Sequence, residues 1–322
     1  NSFGNFEIST ILISTSFSQS DENSSETFDS FQNNRLVIAQ RLAALNGDSS
    51  GDIDEFGFPI GYGKNNQSVL IPAFISAYSG KSPESISLNA ISKTPLPSWS
   101  ISYNGLMNFD FIKESFKRFS LGHAYRSSYT LNNFKSNLEY NPDNTQLTDD
   151  SGNFINEFLF TNVNLVEQFN PLLKIDMELN NSLQIVMSLK KDRALSLSLD
   201  NNLLTESSGT DYSIGLGYRI KDLKFTNRVG GKRRVSKGDL NIKTDLNFRD
   251  NITIIRNLNI LDNKVTAGQK MWSLKTSADY NLSKSFNAIF FYDHLFSKFA
   301  ISTAFPMTTI RAGMTLRYSF GE

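Results

Sequence analysis

The sequence predicts an all-β, antiparallel fold carrying one partly helical insertion. Three observations carry the prediction: a period of two in hydrophobicity that recurs along the chain, turn residues between the periodic runs, and one stretch where the period breaks.

Taken in order, the elements begin with a strand near Phe6 to Phe17, in a first segment 1–19. Residues 20–98 break the pattern. "SETFDSFQNNRLVIAQRLAAL" spaces Phe28, Phe31, Leu36, Ile38, Ala39 and Leu42 near helical intervals, and "NQSVLIPAFISAYSG" reads as a second short helix. Gly and Pro in "GFPIGYG" and "KTPLPSW" flank that helix before the main strand array, 99–322, starts at about Trp99. There "FSLGHAYRSSYTL" alternates Phe119, Leu121, His123, Tyr125 and Tyr129 with small or charged residues. "LKIDMEL" and "LQIVMSLK" read as two strands joined at "NNS". "ALSLSLD", "YSIGLGYRI", "LNIKTDLNFR", "WSLKTSADYN" and "FNAIFFYDH" follow, bounded by "DNN", "SSGTD", "GGK", "RDN" and "LDN", which gives an antiparallel meander.

The last strand, in "TTIRAGMTLRYSFGE", sets Ile310, Ala312, Met314, Leu316, Tyr318 and Phe320 against Arg311, Gly313, Thr315, Arg317 and Ser319. Alternation alone fits a soluble sandwich or a membrane wall equally well. Length separates them: soluble strands average about 5–6 residues, whereas a tilted membrane strand needs roughly 9–11. Several runs reach the longer range, and their Tyr- and Phe-rich ends suit interfacial girdles. The expected fold class is therefore an antiparallel transmembrane β-barrel wall. Lys243, Asp245, Arg249, Arg311 and Arg317 are expected to face a wet lumen, and Ile310, Met314, Leu316, Tyr318 and Phe320 to face lipid.

Composition bounds the function. The 32 basic and 32 acidic side chains balance, which gives the chain no global pull toward nucleic acid. At 39% hydrophobic and 20% charged residues the chain is not wholly disordered, but it carries less apolar material than one compact core of this length usually holds. A wet inner surface accounts for that. The absence of Cys excludes disulfides and thiolate metal sites. The longest apolar run, "VLIPAFISAY", falls short of the roughly 18 residues of a helical span and contains Pro72. Starting at Asn1, the chain reads as a mature product or as a piece of something longer.

Few local patterns suggest chemistry. "NGDSSGDIDEFG" places Asn46, Asp48, Ser50 and Asp54 like the front of a calcium-binding EF-hand loop, but Gly57 stands where the bidentate acid belongs. An ordinary polar loop is the simpler reading, and no cofactor is expected. His123 and His294, the latter beside Asp293, are the only histidines, and no nucleophile motif accompanies them. "VGGKRRVSK" reads as a basic hairpin tip bent at Gly230 and Gly231. Gly215 and Gly217 lack the rest of a nucleotide fingerprint and suit a crowded inner face.

Longer segments carry a resemblance. "NRLVIAQRLAALNG", "GFPIGYGKNNQSVLIPAFISAYSGK", "PLPSWSISYNGL", "LGHAYRSSY", "VEQFNPLLKIDMEL", "KKDRALSLSL", "RDNITIIRNLNI" and "FFYDHLFSKFAISTAFPMTTIRAGMTLRYSF" together resemble the C-terminal part of the SprA/Sov family of cell-surface proteins, from about Asn34 to Phe320. The resemblance implies a protein-conducting channel of the type 9 secretion system, associated with gliding motility, in the bacterial outer membrane. It implies that this wall is part of a very large barrel, of a class reaching about 36 strands. Folded cargo bearing a C-terminal signal domain would cross the lumen and leave through a gap in the wall. A PorV-like smaller barrel and a plug protein would be partners, with lipid and lipopolysaccharide around the outside. On this reading the insertion 20–98 is expected to lie in the lumen or outside the bilayer, where it caps or narrows the channel. The rival expectations are a smaller solute channel or transporter barrel closed within this chain, a soluble β-sandwich binding module, and an outer-membrane hydrolase.

Overall fold

The computed structural model describes residues 2–47, 51–229, 232–260, 262–281, 286–301 and 304–320; at 225–229 and 232–236 it describes the backbone only. Eleven strands form one antiparallel sheet. They are β1 (Phe3–Ser9), β2 (Trp99–Tyr103), β3 (Phe116–Ser136), β4 (Phe158–Leu159), β5 (Asn162–Leu179), β6 (Leu183–Ser198), β7 (Leu203–Val229), β8 (Lys232–Asn257), β9 (Asn263–Asn281), β10 (Phe286–Phe299) and β11 (Met307–Tyr318). From β5 to β11 each strand pairs with the next, so chain order is spatial order. Among the described residues β11 pairs only with β10, and β1 and β2 only with β3, which leaves the sheet open.

β1 and β2 lie end to end on the same edge of β3. Ser9 pairs with Ser128 and Trp99 with Tyr125, while the Thr10 N–H donates to the Ser127 carbonyl at 3.1 Å. They are one strand, interrupted between Thr10 and Trp99. The strand expected to reach Phe17 thus stops at Ser9, because the following residues are drawn off the sheet. Leu12 is buried and its N–H donates to the Tyr125 hydroxyl at 2.8 Å, and a 3-10 turn at Ile13–Thr15 completes the departure.

The excursion forms a helical unit. In α1 (Glu26–Leu45) Ser25 caps the N-terminus, accepting from the Phe28 N–H, and Glu26 and Asp29 complement the helix dipole. Its buried face is Phe28, Phe31, Ile38, Ala39 and Ala43. By contrast α2 (Gln67–Ser79) is apolar nearly all round and is accordingly buried from Val69 to Ala73 without a break. Gly80 ends it at φ 66°, where a Cβ would strike the Ser14 hydroxyl oxygen. The two helices pack with Phe31 and Phe74 at 5.7 Å between ring centroids. Beneath them lie Tyr129, Leu131, Val163, Leu165, Leu195, Leu197 and Leu204 of the sheet.

Two expected turns are absent. "SSGTD" (207–211) runs inside β7 and "RDN" (249–251) inside β8. Their polar side chains are satisfied across strands rather than by a bend: Ser207 bonds Thr253 at 2.8 Å, Arg249 pairs with Asp211 at 3.3 Å, and Lys270 with Asp250 at 3.0 Å. The hairpin residues Gly230 and Gly231 lie outside the described residues.

Candidate functional site: the two faces of the wall

Side chains paired across antiparallel strands share a face, so the register sorts the sheet into two surfaces. One carries Ile185 and Met187 of β6, Tyr212, Ile214, Leu216 and Tyr218 of β7, and Ile242, Leu246 and Phe248 of β8. It continues through Trp272 and Leu274 of β9 and Phe290, Tyr292 and Phe296 of β10 to Ile310, Met314, Leu316 and Tyr318 of β11. These residues are not a core. Ile310 is 59% exposed and Leu316 54%. Phe320 stands beyond β11 at 95% exposure, its ring 4.8 Å from that of Tyr318.

The other surface is ionic. Lys243, Asp245 and Arg249 of β8 share it with Arg311 and Arg317 of β11. One register row reads Asp245, Lys275, Asp293, Arg311, alternating in sign across four strands, and Arg311 closes on Asp293 at 2.9 Å. Arg118 pairs with Asp176 at 2.9 Å on the same surface. Elsewhere it is low in relief: Ser213, Gly215 and Gly217 follow one another on β7, and a Cβ on Gly215 would come within 3.0 Å of the Asp245 carboxylate. β10 departs from the pattern, with Ile289 and Phe291 on the ionic side and Phe291 lying over Gly313.

The helical unit sits on the apolar surface. β6 and β7 pair without a register shift from Leu183 to Ser198, so Arg193, Leu195 and Leu197 under the helices share a face with exposed Met187. Two buried ion pairs fasten the unit. Glu167 accepts from Arg193 at 3.1 Å, from the Ser16 hydroxyl at 2.6 Å and from the Tyr125 hydroxyl at 2.8 Å, while Arg193 also donates to the Thr15 carbonyl at 2.9 Å. Glu206 accepts from Ser20 at 2.8 Å and pairs with Arg256, which is 0% exposed and donates to the Asp21 carbonyl at 2.7 Å. Nothing in the sequence pattern marked these four charges, which stand within otherwise alternating strands. Above them Tyr78 is buried, and desolvation, reinforced by Glu206, pushes its hydroxyl well above the usual tyrosine range.

The other candidates separate. His294 packs on Trp272 at 4.5 Å between ring centroids, while its sequence neighbour Asp293 is on the opposite surface, paired with Arg311. His123 is 2.6 Å from the Leu172 carbonyl. Of the calcium candidates, Asp48 and Ser50 lie outside the described residues. Asn46 donates to the Tyr62 hydroxyl, and Asp54 accepts from the Phe56 and Phe58 N–H groups at 2.8 Å.

No family model matches the chain, and no curated protein matches it. Among the described residues no helix is long and apolar enough to cross a membrane, which leaves strand-crossing untouched.

Proposed function

We propose that the chain is a segment of the wall of an outer-membrane β-barrel, with its apolar surface against lipid and its ionic surface lining a wet channel. The observation that carries this reading is the exposed, continuous apolar surface backed by one that mixes both signs of charge. Area supports it: the chain exposes 19270 Å², against about 13,000 Å² for a compact monomer of its mass. β11, at 12 residues, has the length of a tilted crossing strand, and β7 and β8 are long enough to extend beyond the bilayer. The open edges at β1, β2 and β11 favour a piece of a larger barrel over a small closed channel.

The function we infer is protein passage by the type 9 route, with cargo bearing a C-terminal signal domain; it rests on the resemblance of the segments quoted above. Alternating charge signs and small side chains on the ionic surface suit passage of varied folded surfaces, because no single sign of charge holds them. On this reading the helical unit stands outside the wall, on the lipid side, rather than in the channel. The unit shares one end of the sheet with the long segment 137–161 and the turn 199–202, while the other end carries only the turn 180–182 and the shorter segment 104–115 among the described connections. Since outer-membrane barrels have short periplasmic turns and long outer loops, the helical end is extracellular.

A photo-crosslinking residue at Ser213 tests the function in secreting cells. Cargo adducts are expected there and not at neighbouring Ile214. Adducts at Ile214, or at neither position, count against passage along this surface.

A further inference from the structure

We propose that Lys191, Lys270 and Lys298 form a binding site for the phosphates of a phosphorylated glycolipid of the outer leaflet. The proposal rests on the lipid-facing reading of the apolar surface and names a specific ligand site on it.

The three lysines occupy one register row of that surface: Lys191 pairs with Thr210, Thr210 with Asp250, Asp250 with Lys270, and Lys270 with Lys298. The next row on the same face, about 7 Å along the strands, is Leu189, Tyr212, Phe248, Trp272 and Phe296. An aromatic girdle followed by cations is the order in which a barrel wall meets the acyl–headgroup boundary. The helical unit stands immediately beyond the row, and Lys191 Nζ lies 4.5 Å from the centroid of the Phe17 ring, which is 58% exposed.

The row also carries a local charge excess. Lys270 and Lys298 are direct cross-strand partners, an arrangement that destabilises a sheet and that recurs on the ionic surface at Lys224 and Lys237. Asp250 offsets Lys270 alone, at 3.0 Å. The row therefore carries an excess of two positive charges where the wall leaves the apolar belt, and an anion held there relieves the repulsion. Lys191 and the Lys270–Lys298 pair stand three to four strand spacings apart, about 14–19 Å, so each can meet one phosphate of a disaccharide headgroup phosphorylated at both ends. Because the helical end is read as extracellular, the source is the outer leaflet, where such glycolipids reside.

The test titrates the purified protein in zwitterionic detergent with diphosphoryl lipid A, with dephosphorylated lipid A and with inorganic phosphate, following thermal stabilisation. Diphosphoryl lipid A is expected to stabilise the protein and the other two to have little effect. Replacing each unpaired lysine with Gln is expected to weaken the lipid's apparent affinity about fivefold. The triple variant K191Q/K270Q/K298Q should lose most of the response, and Lys264→Gln should keep it. If the triple variant does not fold, Lys298→Gln alone, at an exposed side chain, carries the same expectation. Unchanged affinity in the lysine variants, or equal stabilisation by inorganic phosphate, overturns the site. Lysine-independent lipid binding with Leu316→Cys still shielded in membranes overturns this site and leaves the wall reading standing; free labelling of Leu316→Cys removes both.

Discussion

Arg256 and Glu206 are held out of water where the helical unit meets the sheet, and each depends on the other. A buried pair is weak evidence of net stability, but removing one partner strands a charge. Arg256→Ala is therefore expected to destabilise the protein by about 3–5 kcal/mol. The double variant Arg256→Ala/Glu206→Ala should recover part of that loss, as read by denaturant unfolding. A double variant that costs the sum of the two singles would mean that the pair is not coupled. Both arginines also reach the backbone of the incoming chain, Arg193 at Thr15 and Arg256 at Asp21. They fix where the chain leaves the sheet, which strand periodicity alone does not announce.

At the scale of elements, the strands that alternate cleanly, such as β11 and the hairpin of β5 and β6, were legible in the sequence because lateral pairing follows the side-chain period. The run from Ser207 to Asp211 was misleading because Ser, Gly and Asp favour turns in isolation, while here Ser207 and Asp211 find partners on β8. The surface on which the helices rest was not legible either, since it depends on register between strands far apart in sequence. Within the helical unit, Tyr78 has a fully buried hydroxyl without a hydrogen-bond partner among the described residues. The folded state holds the Tyr78 proton above the pH at which the unfolded chain releases it, near the ordinary value of 10.0. Stability is therefore full below that pH and falls as pH rises past it, by about 1.4 kcal/mol per pH unit at most. Tyr78→Phe is expected to leave neutral stability unchanged or slightly higher and to blunt the alkaline loss, measured by unfolding midpoints across pH 9–11. An identical alkaline profile in the variant would show that Tyr78 does not set it.

For the whole molecule, the decisive feature is that one sheet has an apolar side with no core behind most of it and an ionic side that mixes both signs of charge. In water the apolar side is a large liability; against lipid it is the ordinary outer surface of a barrel. Adjacent positions on β11 separate these cases directly, because Thr315 and Leu316 are both exposed in the chain and differ only in the surface they occupy. The chain has no native Cys, so single-cysteine variants report without background. In intact outer membranes Thr315→Cys is expected to react with a water-borne thiol reagent and Leu316→Cys to stay unreacted. Equal labelling of the two would contradict the assignment of the apolar surface to lipid.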